Sequence, residues 1–105
     1  MTDKTRSKLT THRGNRRFWI EGKTPLAHGF KPGERFSVKY GNASITLTLN
    51  PDGERKVSGR QRKGQDVRLP IIEICSAQVG DVFGTAEYVN AYYTAPGVIT
   101  IKAIK

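Results

Sequence analysis

Two apolar stretches of this chain follow the same order on either side of a basic connector, and that duplication constrains the fold most. The first stretch begins with Phe18 and Ile20 in alternation, the mark of a strand. Thr24 is an expected N-cap with Pro25 at the first helical position, and Gly29 is placed to end a single helical turn. After the Lys31-Pro32-Gly33 turn, Phe36, Val38 and Tyr40 alternate with Arg35, Ser37 and Lys39. Gly41-Asn42 reads as a hairpin turn, and Ile45, Leu47 and Leu49 alternate with Ser44, Thr46 and Thr48 on the return strand. Asn50-Pro51-Asp52-Gly53 closes the unit.

The second stretch repeats the plan. Ile72 and Ile74 alternate, Ser76 is placed to cap a short helix carrying Val79, Val82 and Phe83, and Gly84 stops it. Residues 87–93 and 98–104 read as strands around an Ala95-Pro96-Gly97 turn. Phe30 corresponds to Phe83 and Ile45 to Ile99, offsets of 53 and 54 residues. A chain of 105 residues makes one domain. Each unit of about 35 residues is too small to bury a core of its own, so the two are expected to share one, with their hairpins packed or exchanged. The expected division is an arm over 1–17 and a single domain over 18–105, made of repeat one (18–53), a connector (54–68) and repeat two (69–105).

Charge is distributed unevenly between these parts. The formal net charge is +9. Residues 1–17 carry +5 and residues 54–68 carry +4, whereas 18–53 and 69–105 carry +1 and −1. Both basic segments are poor in large apolar residues, so they are expected to be a flexible N-terminal arm and a mobile loop. A polycation of this kind suits a polyanion, nucleic acid first and an acidic protein surface second. The single cysteine, Cys75, excludes an internal disulfide framework and reads as a small buried hydrophobe in a reducing, cytoplasmic protein. No apolar run approaches a membrane span, and the N-terminus has no apolar signal region, so no membrane partner is expected.

Trp19-Ile20-Glu21-Gly22-Lys23, Leu26, Gly29-Phe30, Pro32-Gly33, Val38 and the hairpin to Ile45 resemble the SymE-like toxin family, within the AbrB/MazE group of swapped-hairpin barrels. The resemblance covers residues 17–49, and the second unit follows by pattern, with Arg68-Leu69-Pro70-Ile71 similar to the strand entry of that group. It implies a mainly β, swapped-hairpin barrel, here with both β-helix-β-β halves in one chain, as a monomer or a homodimer. It also implies DNA binding, as in a small transcription regulator, a nucleoid-associated protein or part of a toxin–antitoxin pair.

The residues offer little for catalysis and more for binding. His28 with Glu21 or Glu34 is the only arrangement resembling a general acid and base, and His12 lies in the tail. One cysteine and two unrelated histidines supply no metal site, and no cofactor motif is present. Candidate nucleic-acid contacts are Arg13, Arg16 and Arg17 in the arm and Arg55, Lys56, Arg60, Arg62, Lys63 and Arg68 in the connector. Lys31, Arg35 and Lys39 join them as a positive floor. DNA is favoured over RNA as partner. Neutralising six phosphates would give a log–log salt slope of about −5. Tyr88 and Tyr92 fall opposite Val89, Ala91 and Tyr93, where they either stack on bases or pack within a protein interface. Two alternatives remain: a ribonuclease-type toxin, and a protein-binding inhibitor or adaptor using the second repeat.

Overall fold

In the computed structural model, which describes residues 3–61, 63–64 and 67–104, ten strands and two short helices build a mainly β protein. The chain runs β1 (Lys4–Lys8), β2 (Thr10–His12), β3 (Asn15–Glu21), α1 (Lys23–Ala27), β4 (Arg35–Tyr40) and β5 (Ser44–Leu49). A matching series follows: β6 (Arg55–Lys56), β7 (Ser58–Arg60), β8 (Leu69–Cys75), α2 (Ala77–Phe83), β9 (Tyr88–Ala95) and β10 (Val98–Ala103). A six-stranded sheet has the order β1-β9-β10-β5-β4-β6, and a four-stranded sheet the order β2-β3-β8-β7. All pairings are antiparallel.

The two sheets share their edges. Leu9 alone separates β1 from β2, and Val57 alone separates β6 from β7, so each bent segment bonds in both sheets. Leu9 and Val57 are 4% and 2% exposed, which makes each corner a core anchor. Their backbones are held alike: Leu9 N donates to the Glu87 carbonyl, and Val57 N to that of Glu34, both at 2.8 Å.

This overturns the flexible arm. Residues 4–12 are strands, and β3 begins at Asn15 across the Arg13-Gly14 turn. Both turn residues have positive φ, 52° and 83°, as a two-residue hairpin of this twist requires. The connector is likewise not a mobile loop throughout, since β6 and β7 occupy its first half. Each unit therefore has five parts, a bent strand having been missed ahead of each β-helix-β-β series.

A single core lies between the sheets. Phe18, Phe30, Phe36, Ile45, Leu47, Ile72, Ile74, Val89, Ile99 and Ile101 are each at most 1% exposed. β3, β5, β8, β9 and β10 contribute on alternate residues, as the period of two dictates, and β4 contributes Phe36. Val79 and Phe83 of α2 join the core, and Phe83 meets Phe18 edge-on at 6.1 Å. Phe30 meets Phe36 in the same manner at 6.4 Å. Full burial of such side chains stabilises by roughly 1.5–3 kcal/mol each.

Local details differ in three places. Helix α1 starts at Lys23 behind Gly22, so Thr24 is inside the helix rather than its cap. Ser76 does precede α2 in extended geometry, but its side chain makes no capping bond. Cys75 is half-buried rather than buried, with its thiol 3.9 Å from the His12 carbonyl.

Candidate nucleic-acid interface

Strand alternation sorts the six-stranded sheet into two chemically distinct faces. Inward go Val89, Ala91, Tyr93, Ile99, Ile101, Ile45, Leu47 and Phe36. The register then places Lys4, Arg6 and Lys8 of β1 on the outward face, directly opposite Tyr92, Asn90 and Tyr88 of β9. Lys102 stands opposite both Asn90 and Ser44, and Thr100 opposite Tyr92 and Thr46. On the far side, Arg35, Ser37 and Lys39 of β4 point outward, with Lys56 of β6 beside Arg35.

Seven cations thus share one outward face: Lys4, Arg6, Lys8, Arg35, Lys39, Lys56 and Lys102. Among the described residues, no aspartate or glutamate occupies an outward position of this sheet. The other outward side chains are hydroxyls, amides and rings, with Val98 as an aliphatic exception. One carboxylate reaches the face from its β6 edge, beside the Ser37 hydroxyl. Glu54 accepts from Val38 N at 2.9 Å, and that backbone bond holds its carboxyl below the usual glutamate range.

The face is furnished for contact with more than phosphate. Arg6 lies over the Tyr88 ring at 4.1 Å from its centroid. Asn90 donates from its side-chain amide to the Tyr92 hydroxyl at 3.3 Å. Tyr92, Thr94, Thr100 and Lys102 line a groove of about 410 Å³ along β9 and β10.

The residues expected to bind nucleic acid do not form one cluster. Arg35, Lys39 and Lys56 lie on the face just described. Arg13 sits in the β2–β3 turn, and Lys31 in the turn before β4. Arg16 has the parity of Phe18, so it turns toward the core side, where its guanidinium donates to the Ala86 carbonyl. Arg17 points outward on the other sheet, 3.7 Å from Glu73 and 5.1 Å from the Trp19 ring. Arg55 is half-buried, and its Cα partner is Phe36. Arg60 is exposed at the end of β7, Lys63 lies beyond it, and Arg68 donates to the Gly59 carbonyl at 3.3 Å. Arg62 lies outside the described residues.

Lys4, Arg6, Lys8 and Lys102 were not singled out from the sequence. The signal for three of them was there: Lys4, Arg6 and Lys8 alternate with Thr5, Ser7 and Leu9. Small polar residues at the inward positions hid the strand, because they carry no apolar periodicity.

His28 stands elsewhere. Its Nε2 is 2.8 Å from the Asp3 carboxylate, and its ring stacks on Tyr93 at 4.7 Å. Asp3, rather than Glu21 or Glu34, is its acidic neighbour. Burial pushes the Tyr93 phenol up, while the Thr5 hydroxyl at 3.1 Å partly offsets that. Together with Ala27, Gly29, Thr48, Leu49, Pro96 and Gly97, His28 lines an open groove of about 580 Å³. Among the described residues no three His, Cys, Asp or Glu side chains gather as a metal site, and no helix is long and apolar enough to cross a membrane. Compared with known proteins, the chain matches no family model, no curated protein and no solved structure.

Proposed function

We propose that this protein binds nucleic acid as a non-catalytic module, through the outward face of the six-stranded sheet. One observation carries the reading: seven cations share that face with hydroxyls, amides and tyrosine rings, and among the described residues no strand position on it is an aspartate or glutamate, Glu54 reaching it from the β6 edge. A strongly positive surface attracts a phosphate backbone, whose neutralisation releases counterions and dominates affinity. The phosphate clamp is then a rigid sheet rather than an arm and a loop, so little chain has to be ordered on binding. The same reading takes the strand circuit as the swapped-hairpin barrel of the AbrB/MazE group that residues 17–49 resemble. Its support is that hairpin β4–β5 lies between β6 and β10, both of the other unit, and hairpin β9–β10 between β1 and β5.

Fluorescence anisotropy with labelled duplex DNA, single-stranded DNA and RNA at two salt concentrations tests the proposal. Binding is expected to weaken steeply with salt, and Arg6→Glu and Lys39→Glu each to lower affinity severalfold at low salt. Lys23→Glu, on α1 and off the face, is the control for net charge. Equal losses from all three substitutions, or no binding at low salt, would overturn it.

A further inference from the structure

The two halves of the basic face are alike in position and different in chemistry. Where β4 presents Arg35, Ser37 and Lys39, the matching strand β9 presents Tyr88, Asn90 and Tyr92. Each of those tyrosines has a lysine directly across on β1, Lys8 beside Tyr88 and Lys4 beside Tyr92. Asn90 lies between Arg6 and Lys102. Cross-strand partners keep their Cβ atoms about 4.5–5.5 Å apart, so ring and cation form one contact unit.

Resting on the nucleic-acid reading, we infer that the β9–β1 half of the face takes single-stranded nucleic acid, with bases stacked on Tyr88 and Tyr92 and phosphates on Lys4, Arg6, Lys8 and Lys102. A tyrosine ring on a sheet surface offers a π-face on which an unpaired base can stack, whereas in a duplex the base faces are already stacked. Arg6, 4.1 Å over the Tyr88 ring, gives way to a base there as it turns to a phosphate. Tyr88 and Tyr92 are four residues apart on one strand, about 13–14 Å. That exceeds the ~3.4 Å between successive stacked nucleotides, so the strand leaves room for bases between the two rings. Asn90 stands at that intermediate position with an amide able to donate and accept, the chemistry that reads a base edge. Its present bond is to Tyr92, a 3.3 Å contact that an incoming base edge would exchange. The groove along Tyr92, Thr94, Thr100 and Lys102 continues the track toward β10.

The test compares oligothymidylate, oligouridylate and a DNA duplex of equal length, about 12 nucleotides, at one salt concentration. Both single strands are expected to bind more tightly than the duplex, and a difference between them identifies DNA or RNA as the better source. Tyr92→Leu keeps apolar surface and removes the π-face, and is expected to weaken single-strand binding roughly tenfold while sparing the duplex. Tyr92→Phe, which loses only the hydroxyl, should retain most of the affinity and shows that the loss is not one of folding. Tighter duplex binding, or a Tyr92→Leu variant with unchanged single-strand affinity, would overturn the inference while leaving the charge-reversal result intact. Absence of binding to all three probes would instead remove the nucleic-acid reading itself.

Discussion

Thr46 stands directly opposite Thr100 where β5 meets β10, and the two are 54 residues apart in the chain. Around them Ile45 faces Ile101 and Leu47 faces Ile99. The offset of 54 exchanges these pairs, as a two-fold axis through the threonine pair demands. The other central pair obeys the same offset: Phe18 faces Ile74, Ile20 faces Ile72, and Trp19 faces Glu73 between them. Ahead of each unit Leu9 corresponds to Val57, 48 residues on, because residues 61–68 replace the two-residue Arg13-Gly14 turn.

Because these pairs cross between the units, neither half has a core to itself. Leu47→Ala, at a fully buried position paired with Ile99, is expected to cost about 2–5 kcal/mol. Unfolding should remain one cooperative transition, with Trp19 fluorescence and far-ultraviolet circular dichroism coinciding in denaturant. Two separated transitions would show that the halves fold independently.

Leu9 ties the N-terminal segment into that core. Leu9→Ala is expected to destabilise by about 2–4 kcal/mol, far more than a change in a solvated arm would. Deleting residues 1–13 removes β1 and β2 and bares the edges of β9 and β3, so the shortened chain should unfold or aggregate. A stable, soluble deletion variant with the parent melting temperature would contradict this.

Gly53 packs where no side chain fits. It is buried, its N–H bonds the Asn50 carbonyl at 2.9 Å, and a Cβ there would overlap the Phe36 backbone. Backbone cannot swing away as a flexible side chain does. Gly53→Ala is expected to cost about 1–3 kcal/mol, read as a lower denaturation midpoint. Gly64, with nothing near its Cβ direction, is the contrasting site, though its φ of 86° adds local strain to any substitution.

Tyr93 makes the protein sensitive to alkali. The unfolded chain ionises this phenol near pH 10, whereas the folded chain holds it neutral to higher pH because the ring is buried. The associated stability is complete below about pH 10 and is lost as pH rises through the higher folded value. A tyrosinate absorbance titration should show one phenol ionising later than the rest. Tyr93→Phe should remove that late step and flatten the alkaline dependence of stability.

Much of the architecture was written in the alternation of apolar residues. Phe36-Val38-Tyr40, Ile45-Leu47-Leu49 and Ile72-Ile74 set their strands, since a period of two leaves one face to bury. The duplication was legible too, because the same order of strand, helix and hairpin recurs 53–54 residues later. The bent strands through Leu9 and Val57 were not. Their inward neighbours include Thr5, Ser7 and Gly59, which carry no apolar rhythm and are half-buried only because other strands close over them.

Charge shows the same divide. The sequence by itself determined that the chain is strongly basic, built as two similar units, and too small for two cores. Only the tertiary structure decided where the charge is presented. Register turned Lys4, Arg6 and Lys8 outward beside Tyr92, Asn90 and Tyr88, and gathered Lys39 and Lys102 on the same face from strands more than sixty residues apart. It also spent Arg16 on the Ala86 carbonyl and Arg17 on Glu73. A residue's charge is fixed by its side chain, but the face it reaches depends on strand parity and on which strand lies alongside.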